Sequence, residues 1–561
     1  MNERWSRIFP PARWLPTYQA AWLRFDIIAG VTLAAYAVPV AMAYATLAGV
    51  PPVNGIYGYL LGGLAYAVFG SSRQLAIGPT SAISLLVATT VAGMAGGDPE
   101  RWAQIAALTA LVLAAVAVLA WLLRLSSLVA FISETVLLGF KAGAALTIAM
   151  TQLPKLFGVP GGGEHFFARV WTLVGQLGQT NVTVLTFGLV AIALLLAGEK
   201  WLPGRPAALV VVVLAIVAMT FTSLAQSGFA TVGELPRGLP VIERPPLRFH
   251  DVDGVVTLAA ACFLLAYIEG VSAARTLAAG HGETIDPRQE LLALGAANFA
   301  AAMGHAYPVA GGLSQSAVND KAGARTPLAL VVASVTLGLC LLFLTGLLRN
   351  LPTVVLASIV LVAVKGLIKV KDLKELWRVS RFEFTIAVAA VVGVLLLGIL
   401  RGVLLAAIIS MLMMIRRVAA PYVAVLGRIP GARRFSDMER HPDNEAVPGV
   451  LVVRVEASVL YFNTEHVREQ LDARIAAAAG LRAVVWDLSS APYVDTSAAR
   501  MIADLQQELA KRGVVLRLVE ARARVRDLLR DMGLEEHVGR IGRFASVDDV
   551  VRELEAQPAA R

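Results

Sequence analysis

The chain has 561 residues, 57% of them hydrophobic and 16% charged, with a mean hydropathy of +0.68. A soluble domain carries about 25% charged residues, so the chain is not a string of soluble domains, although its length would allow several. The net charge of +9 and pI near 9.7 come from basic residues flanking apolar runs, where the positive-inside bias puts them. No basic stripe with interleaved aromatics marks a nucleic-acid surface.

Crossing a hydrocarbon core of about 30 Å takes roughly 20 apolar residues in a helix. In chain order the candidate spans are 27–48, 56–69, 77–94, 103–123, 128–150, 182–196, 207–224, 255–267, 291–303, 312–319, 328–348, 354–364, 384–400 and 403–415. Six of these, 27–48, 56–69, 77–94, 128–150, 291–303 and 312–319, hold most of the intramembrane glycine, proline and polar residues. Irregular backbone at membrane depth is tolerated only where it is buried or lines a cavity, so a transport site belongs among these six. Cys262 and Cys340 sit inside apolar runs, with neither disulfide nor metal-ligand spacing around them.

Loop charges set the orientation. With a cytoplasmic N-terminus and one crossing per span, Arg73, Arg124, Lys200 with Arg205, Lys321 with Arg325, and the run from Lys369 to Arg381 fall on the cytoplasmic side. The loops 96–100 and 158–180 fall outside, and Arg237, Arg244 and Arg248 oppose the trend. Beyond Arg416 and Arg417 a polar stretch leads into a compact pattern. Strands are predicted at 450–455, 458–462, 483–488 and 514–519, and helices at 464–479, 496–512, 523–532 and 547–555. Strands alternating with helices over this length give a small α/β domain. The plan is a cytoplasmic N-terminal segment 1–24, a transmembrane transport domain 25–420, a linker 421–446 and an α/β domain 447–561.

Two segments share a layout. Gly70 to Ser81 and Gly304 to Gln315 each run from a helix ending near a glycine, through a short extended stretch, to a glycine and a hydroxyl residue opening a short helix. Under the topology above they run in opposite directions, as in an inverted repeat. A helix start leaves about four N–H groups unpaired and carries about half a positive charge. Two such starts facing one cavity make an anion site, with Ser81 and Ser314 as further donors. The competing reading is a pair of ordinary helix breaks whose hydroxyls cap their own backbones.

Glu269, in Ala266-Tyr-Ile-Glu-Gly270, and Lys141, in Gly139-Phe-Lys-Ala-Gly143, are charges inside apolar segments. A carboxylate there must be paired or neutral. Glu269 is therefore a candidate proton carrier, a sodium ligand or half of a structural pair. Lys141 is a candidate cavity cation, a partner of Glu269, or a side chain that snorkels to the interface.

The run Val38-Pro39 to Tyr57, followed by Gly70-Ser-Ser-Arg73 and Gly78-Pro79, resembles the signature of the SulP, or solute-carrier-26-like, family of anion transporters. Phe131-Ile-Ser133 to Gly139-Phe140 and Gly312-Leu-Ser-Gln-Ser-Ala-Val-Asn319 resemble later stretches of that family. Val494-Asp-Thr-Ser497 matches the signature loop of the STAS domain, the sulfate-transporter and anti-sigma-factor-antagonist module. The resemblance implies about 14 membrane segments in 7+7 inverted repeats, uracil-permease-like, with a cytoplasmic α/β STAS domain. It implies a homodimer in a bacterial-type inner membrane, with Tyr44, Thr80, Ser81, Ser314 and Gln315 at substrate-binding positions. Two cavity positions depart from the pattern. Val40 stands where many relatives have Gln, and Gln315 where several animal relatives have Arg, so a fixed positive charge is absent.

Plant and bacterial members with an acid at the Glu269 position couple transport to protons, and some bicarbonate carriers of the family use sodium. The expectation is a secondary active transporter of sulfate, bicarbonate or a dicarboxylate, by proton-coupled symport. Sodium-coupled bicarbonate transport, an uncoupled channel and a STAS-coupled sensor are the alternatives. In soluble STAS proteins the hydroxyl residue beside the signature Asp is phosphorylated. That points to Asp495 and Thr496 as a regulatory loop, open to a regulatory protein, although Ala498 replaces the usual Gly. No enzyme activity, cofactor or metal is implied.

Overall fold

A computed structural model describes residues 9–127, 134–163, 165–201, 206–222, 227–246, 252–542 and 545–556. Phe131 to Ser133, Arg205 and Arg248, used above, lie outside the described residues, as does the start of the segment 1–24. The chain forms two compact units, Met1–Ser410 and Met411–Arg561.

The first unit is built from two halves of matching element order. The first half holds α1 (Leu23–Ala48), α2 (Pro52–Phe69), β1 (Ile77–Gly78), α3 (Ser81–Ala95), α4 (Pro99–Leu122), α5 (Glu134–Phe157), α6 (Phe166–Gln176), α7 (Val182–Trp201) and α8 (Ala207–Phe221). The second holds α9 (Val252–Gly280), α10 (Pro287–Met303), β2 (Ala310–Gly311), α11 (Leu313–Lys321), α12 (Leu328–Phe343), α13 (Thr353–Lys365), α14 (Val370–Val379), α15 (Arg381–Leu397) and α16 (Ile399–Ala419). In each half the third span is a two-residue strand followed by a short helix. In each, a short amphipathic helix (α6 or α14) follows the fifth span.

Those two amphipathic helices were not foreseen, since 158–180 and 369–381 read as plain loops. α14 is polar on average, and α6, although apolar on average, has 11 residues, too few to cross a membrane; a 3.6-residue period is what marks both as helices. The span read as 255–267 is also longer than expected: α9 continues to Gly280 and carries Glu269 within it.

Packing mixes the halves. α1 to α4 pack with α9 to α12 into one bundle, while α5, α7 and α8 gather with α13 and α15 into another. Small residues allow close approach within the first bundle. A side chain at Gly55 would meet the Ala41 carbonyl at 2.1 Å, and one at Gly49, already at φ +78°, would strike the Trp102 ring. Two carboxylates that looked unremarkable in sequence lock this bundle. Asp26 is fully buried; its Oδ1 accepts from the N–H groups of Arg325 (2.8 Å) and Thr326 (3.0 Å), and its Oδ2 from Thr326 Oγ1 (2.7 Å) and Tyr18 Oη (3.2 Å). Glu290 accepts from Tyr66 Oη (2.9 Å) and from Ser71 N and Oγ (2.9 and 2.6 Å). Each joins the first half to the second.

The second unit is a five-stranded sheet in the order β4-β3-β5-β6-β7. Its strands are β3 (Val423–Arg428), β4 (Phe435–Asp437), β5 (Val450–Val455), β6 (Ala483–Asp487) and β7 (Val515–Val519); β5, β6 and β7 are parallel, while β3 pairs antiparallel to β4 and β5. Leu451, Val453, Val484 and Trp486 face α17 (Thr464–Ala477), α18 (Thr496–Lys511) and α19 (Ala523–Asp531). Val450, Val452, Ala483 and Val485 face α20 (Val547–Ala556). Both faces of β6 are covered, which is why it reads as an unbroken apolar run.

Two expectations fail here. The segment 421–446, read as a linker, carries β3 and β4 of the sheet. The strand expected at 458–462 is a single bridge, Val459 to Val494, because Asn463 turns the chain into α17 by accepting from Leu460 N at 2.9 Å.

Replacing Asp26 with Ala leaves four donors without their acceptor, the two of Thr326 in buried hydrogen bonds and those of Arg325 and Tyr18 in partly buried ones. The expected cost is about 3 kcal/mol of stability, read as a lower unfolding midpoint of the detergent-purified protein. Asp26→Ala with a wild-type midpoint would show that the clamp is idle.

Candidate functional site

The two interrupted spans cross at the centre of the first bundle. Ile77 pairs with Gly311 and Gly78 with Ala310, antiparallel. From this crossing α3 and α11 depart, each behind a residue in extended conformation, Thr80 (φ −125°, ψ 153°) and Gly312 (φ −105°, ψ 136°). Neither start is capped by a side chain. Thr80 Oγ1 is buried without a hydrogen-bond partner, so the alternative of hydroxyls capping their own helices does not describe it. The first-turn N–H groups of both helices are left without a side-chain acceptor, the arrangement that suits an anion.

The crossing is held by amides and hydroxyls that sequence reasoning did not single out. Asn298, fully buried, donates to the Val309 carbonyl and accepts from the Val309 N–H, both at 2.9 Å. Ser316 Oγ accepts from Ala76 N at 2.9 Å, and Asn319 Nδ2 donates to the Gln74 carbonyl at 3.0 Å. Gln315 belongs with these. Its Nε2 donates to the carbonyls of Ala76 and Ala310, each at 3.0 Å, and its Oε1 accepts from Tyr59 Oη. The expectation that Gln315 faces the cavity is therefore not met. Its amide is consumed in bracing the two strands, and 3% of the residue is exposed. A signal was present: residues 315, 316 and 319 lie at helical spacing on the face of α11 opposite Ser314, and all are polar within a membrane segment.

Ser314 itself is exposed and lines an open cavity of about 480 Å³, together with Tyr36 and Val40 from α1, Glu199 from α7, and Lys321 and Lys365. The cavity lies between the two bundles, on the side where α1 begins. Tyr44, buried one turn beyond Val40, has its hydroxyl against Ser81 and within electrostatic range of Glu269. Glu269 Oε1 lies 3.9 Å from Lys141 Nζ, an ion pair that joins α9 of one bundle to α5 of the other. The structure thus brings together Tyr44, Thr80, Ser81, Glu269 and Lys141, sets Ser314 on the adjoining cavity wall, and turns Gln315 away.

In the second unit, Asp495 caps α18, accepting from Ala498 N at 2.9 Å, and its other oxygen accepts from Tyr461 N at 2.7 Å. It ties the 458–463 turn to the helix. Thr496 is exposed in the first turn of α18.

Fold and site define a class: a multi-pass carrier with inverted repeats, two broken helices meeting at its centre, and a cytoplasmic α/β domain. The model of the sulfate permease family matches residues 23–390, and that of the STAS domain matches 441–550. A probable sulfate transporter of Mycobacterium tuberculosis is 34% identical over 95% of this chain and 96% of its own length. A chloroplastic sulfate transporter of Arabidopsis thaliana is 30% identical over 97% of this chain and 82% of its own. The murine solute carrier 26 family member A9 anion transporter, in an inward-facing state, superposes with a TM-score of 0.90 at 23% identity, covering 99% of this chain and 96% of that one. The transmembrane domain of a cyanobacterial bicarbonate transporter covers 70% of this chain and 98% of its own, with a TM-score of 0.62 at 22% identity. The chain belongs to the sulfate permease family of anion transporters; it is a transporter of small inorganic anions rather than an enzyme.

Gln315→Leu strips partners from two carbonyls and a phenol at the crossing. It is expected to cost about 3 kcal/mol and to lower transport of every carried anion alike. Altered selectivity with an unchanged unfolding midpoint would instead return Gln315 to the substrate.

Proposed function

We propose that the protein is a proton-coupled symporter of a small anion, with sulfate the first candidate because relatives at 30% identity or more are named for it. In this reading the anion sits at the starts of α3 and α11, within reach of Tyr44, Thr80, Ser81 and Ser314. Each helix start supplies about half a positive charge. On this reading the site needs no arginine side chain.

The observation that carries the coupling is the Lys141–Glu269 pair at 3.9 Å between the two bundles. An arriving anion competes with Glu269 for the Lys141 ammonium, and the displaced carboxylate takes a proton. Anion and proton then strengthen each other's binding, as linkage requires. Departure of both restores the pair. A sodium ion at Glu269 would have to share the carboxylate with an ammonium already beside it, which disfavours the sodium reading. Coupling also answers an energetic need. Bringing a dianion into a compartment 100 mV negative costs about 4.6 kcal/mol, at about 2.3 kcal/mol per charge.

Thr496 is read as a regulatory phosphorylation site, since a phosphate there would meet the positive end of α18. A phosphopeptide map of the natively expressed protein without Thr496 would remove that role.

The deciding experiment reconstitutes the protein in liposomes and follows labelled sulfate, bicarbonate and fumarate under an inward proton gradient, an inward sodium gradient, or neither. Proton-driven accumulation of one anion is expected. Glu269→Gln should reduce the gradient-driven part by roughly 5–150-fold, the range of a 1–3 kcal/mol coupling, while leaving downhill exchange. Sodium-driven uptake, or accumulation untouched by Glu269→Gln, would overturn the reading.

A further inference from the structure

A second cavity, of about 730 Å³, lies between the same two bundles on the side where α1 ends. One wall is the outer half of α3, with Thr89 and Thr90, together with Trp102 at the start of α4. This wall carries no charge. The facing wall comes from the last turns of α5, the start of α6 with His165 ahead of it, the end of α15 and the start of α16. Of these, α5, α6 and α16 contribute one cation each, Lys155, Arg169 and Arg401. No described carboxylate lines the cavity, and among the described residues none of the three cations is in an ion pair.

The geometry favours convergence over scatter. Thr147, Thr151 and Lys155 follow one another at four-residue spacing, so the face of α5 that meets the cavity ends in the ammonium. Arg169 Nε donates to the Gly163 carbonyl at 3.1 Å, which fixes the guanidinium and leaves its other N–H groups unused by that contact. The hydroxyl protons of Thr89, Thr147 and Thr151 are spent on the carbonyls of Leu85, Gly143 and Ile148. Thr90, Gln152 and His165 keep donor capacity as well, so the three cations are the charged donors among those that remain. The opposite cavity, at Ser314, is lined by Lys321, Lys365 and Glu199, a net charge of one against three here.

We propose that this vestibule is a second anion-binding site, separate from the crossing, that captures small inorganic anions and feeds the transport site from the side opposite the N-terminus. A cleft lined by one sign of charge with low-dielectric walls raises the local counter-ion concentration by about 10–10³. The stretch of α3 that lines this cavity begins at Leu85, one turn beyond Ser81, and neither strand of the crossing lines it, so an anion held there is still outside the crossing. The binding claim stands on the cavity alone; its consequence for uptake rests on the anion-symport reading above.

Trp102 in the cavity wall supplies a readout that does not depend on transport. The full-length protein in phosphatidylcholine nanodiscs, which bear no net charge, is quenched with iodide and separately with neutral acrylamide at constant ionic strength. The Trp102 contribution is taken as the difference from Trp102→Phe. In Lys155→Gln/Arg401→Gln the iodide quenching constant should fall about tenfold and the acrylamide constant should hold. Lys155→Arg/Arg401→Lys should keep both. An unchanged iodide constant, a parallel fall for acrylamide, or a Trp102 reached by neither quencher in the wild type would overturn the proposal. In liposomes the neutralised double variant should raise the half-saturating external sulfate concentration about tenfold at an unchanged maximal rate. A wild type that carries no sulfate would sink the symport reading, while the quenching result would still decide the vestibule.

Discussion

The crossing of two broken spans is the constraint on which the first unit depends. Opening a helix in the middle of a membrane exposes N–H groups to an incoming anion, but it also frees carbonyls and amides that lipid cannot satisfy. Around residues 74–78 and 309–311 that debt is met by side chains: Gln315, Ser316 and Asn319 pair with the irregular backbone of residues 74–76 in the facing segment, and Asn298 pairs with Val309. The strand pair alone, two residues long, would be too short to hold its register. Because the braces run between α10, α11 and the segment ahead of β1, this region can move only as one body. A motion that separated α3 from α11 would strand at least four buried polar groups.

The same logic separates the buried carboxylates by role. Asp26 and Glu290 are surrounded by short hydrogen bonds within one bundle, and every donor they meet comes from backbone, hydroxyl or phenol. Such groups fix a geometry. Glu269 differs in kind. Its ion pair is with Lys141, at 3.9 Å, and the pair spans the two bundles. A contact of that length, between bodies that a carrier must move past one another, is one that can be exchanged for another. In the symport reading this is where ligand binding meets motion, since breaking the pair changes the charge balance at the interface that has to slide.

Much of this was legible in the sequence. The number of spans, the inverted layout of 70–81 and 304–315, and the intramembrane charges at 141 and 269 all follow from hydropathy, glycine placement and the cost of burying charge. What was not legible has physical reasons. The helix at 166–176 is amphipathic, and averaging hides its period. The strand at 423–428 lies in a polar stretch, and its pairing with 450–455 is a long-range choice that no local pattern announces. Asp26 and Glu290 stand near span ends, where an acid is ordinarily solvated, so only their donors reveal them. Gln315 was assigned to the cavity, with Ser314, because both match substrate-binding positions of the family the sequence resembles. One residue along a helix turns the side chain by about 100°, and here that turn separates an open wall from a packed crossing.

Charge placement across the whole unit then acquires a direction. In the proposed reading the anion at the crossing is held by helix ends of the bundle that contains α1 to α4, whereas the cations of the larger vestibule stand on α5, α6 and α16. On that reading an anion passing inward would leave fixed side-chain cations for fixed backbone dipoles and meet the Lys141 ammonium at the boundary. Strong binding at every stage would trap it. Backbone dipoles of about half a charge each hold an anion less tightly than two cationic side chains would. A centre without arginine, between one vestibule of net charge three and another of net charge one, therefore slopes toward release rather than retention.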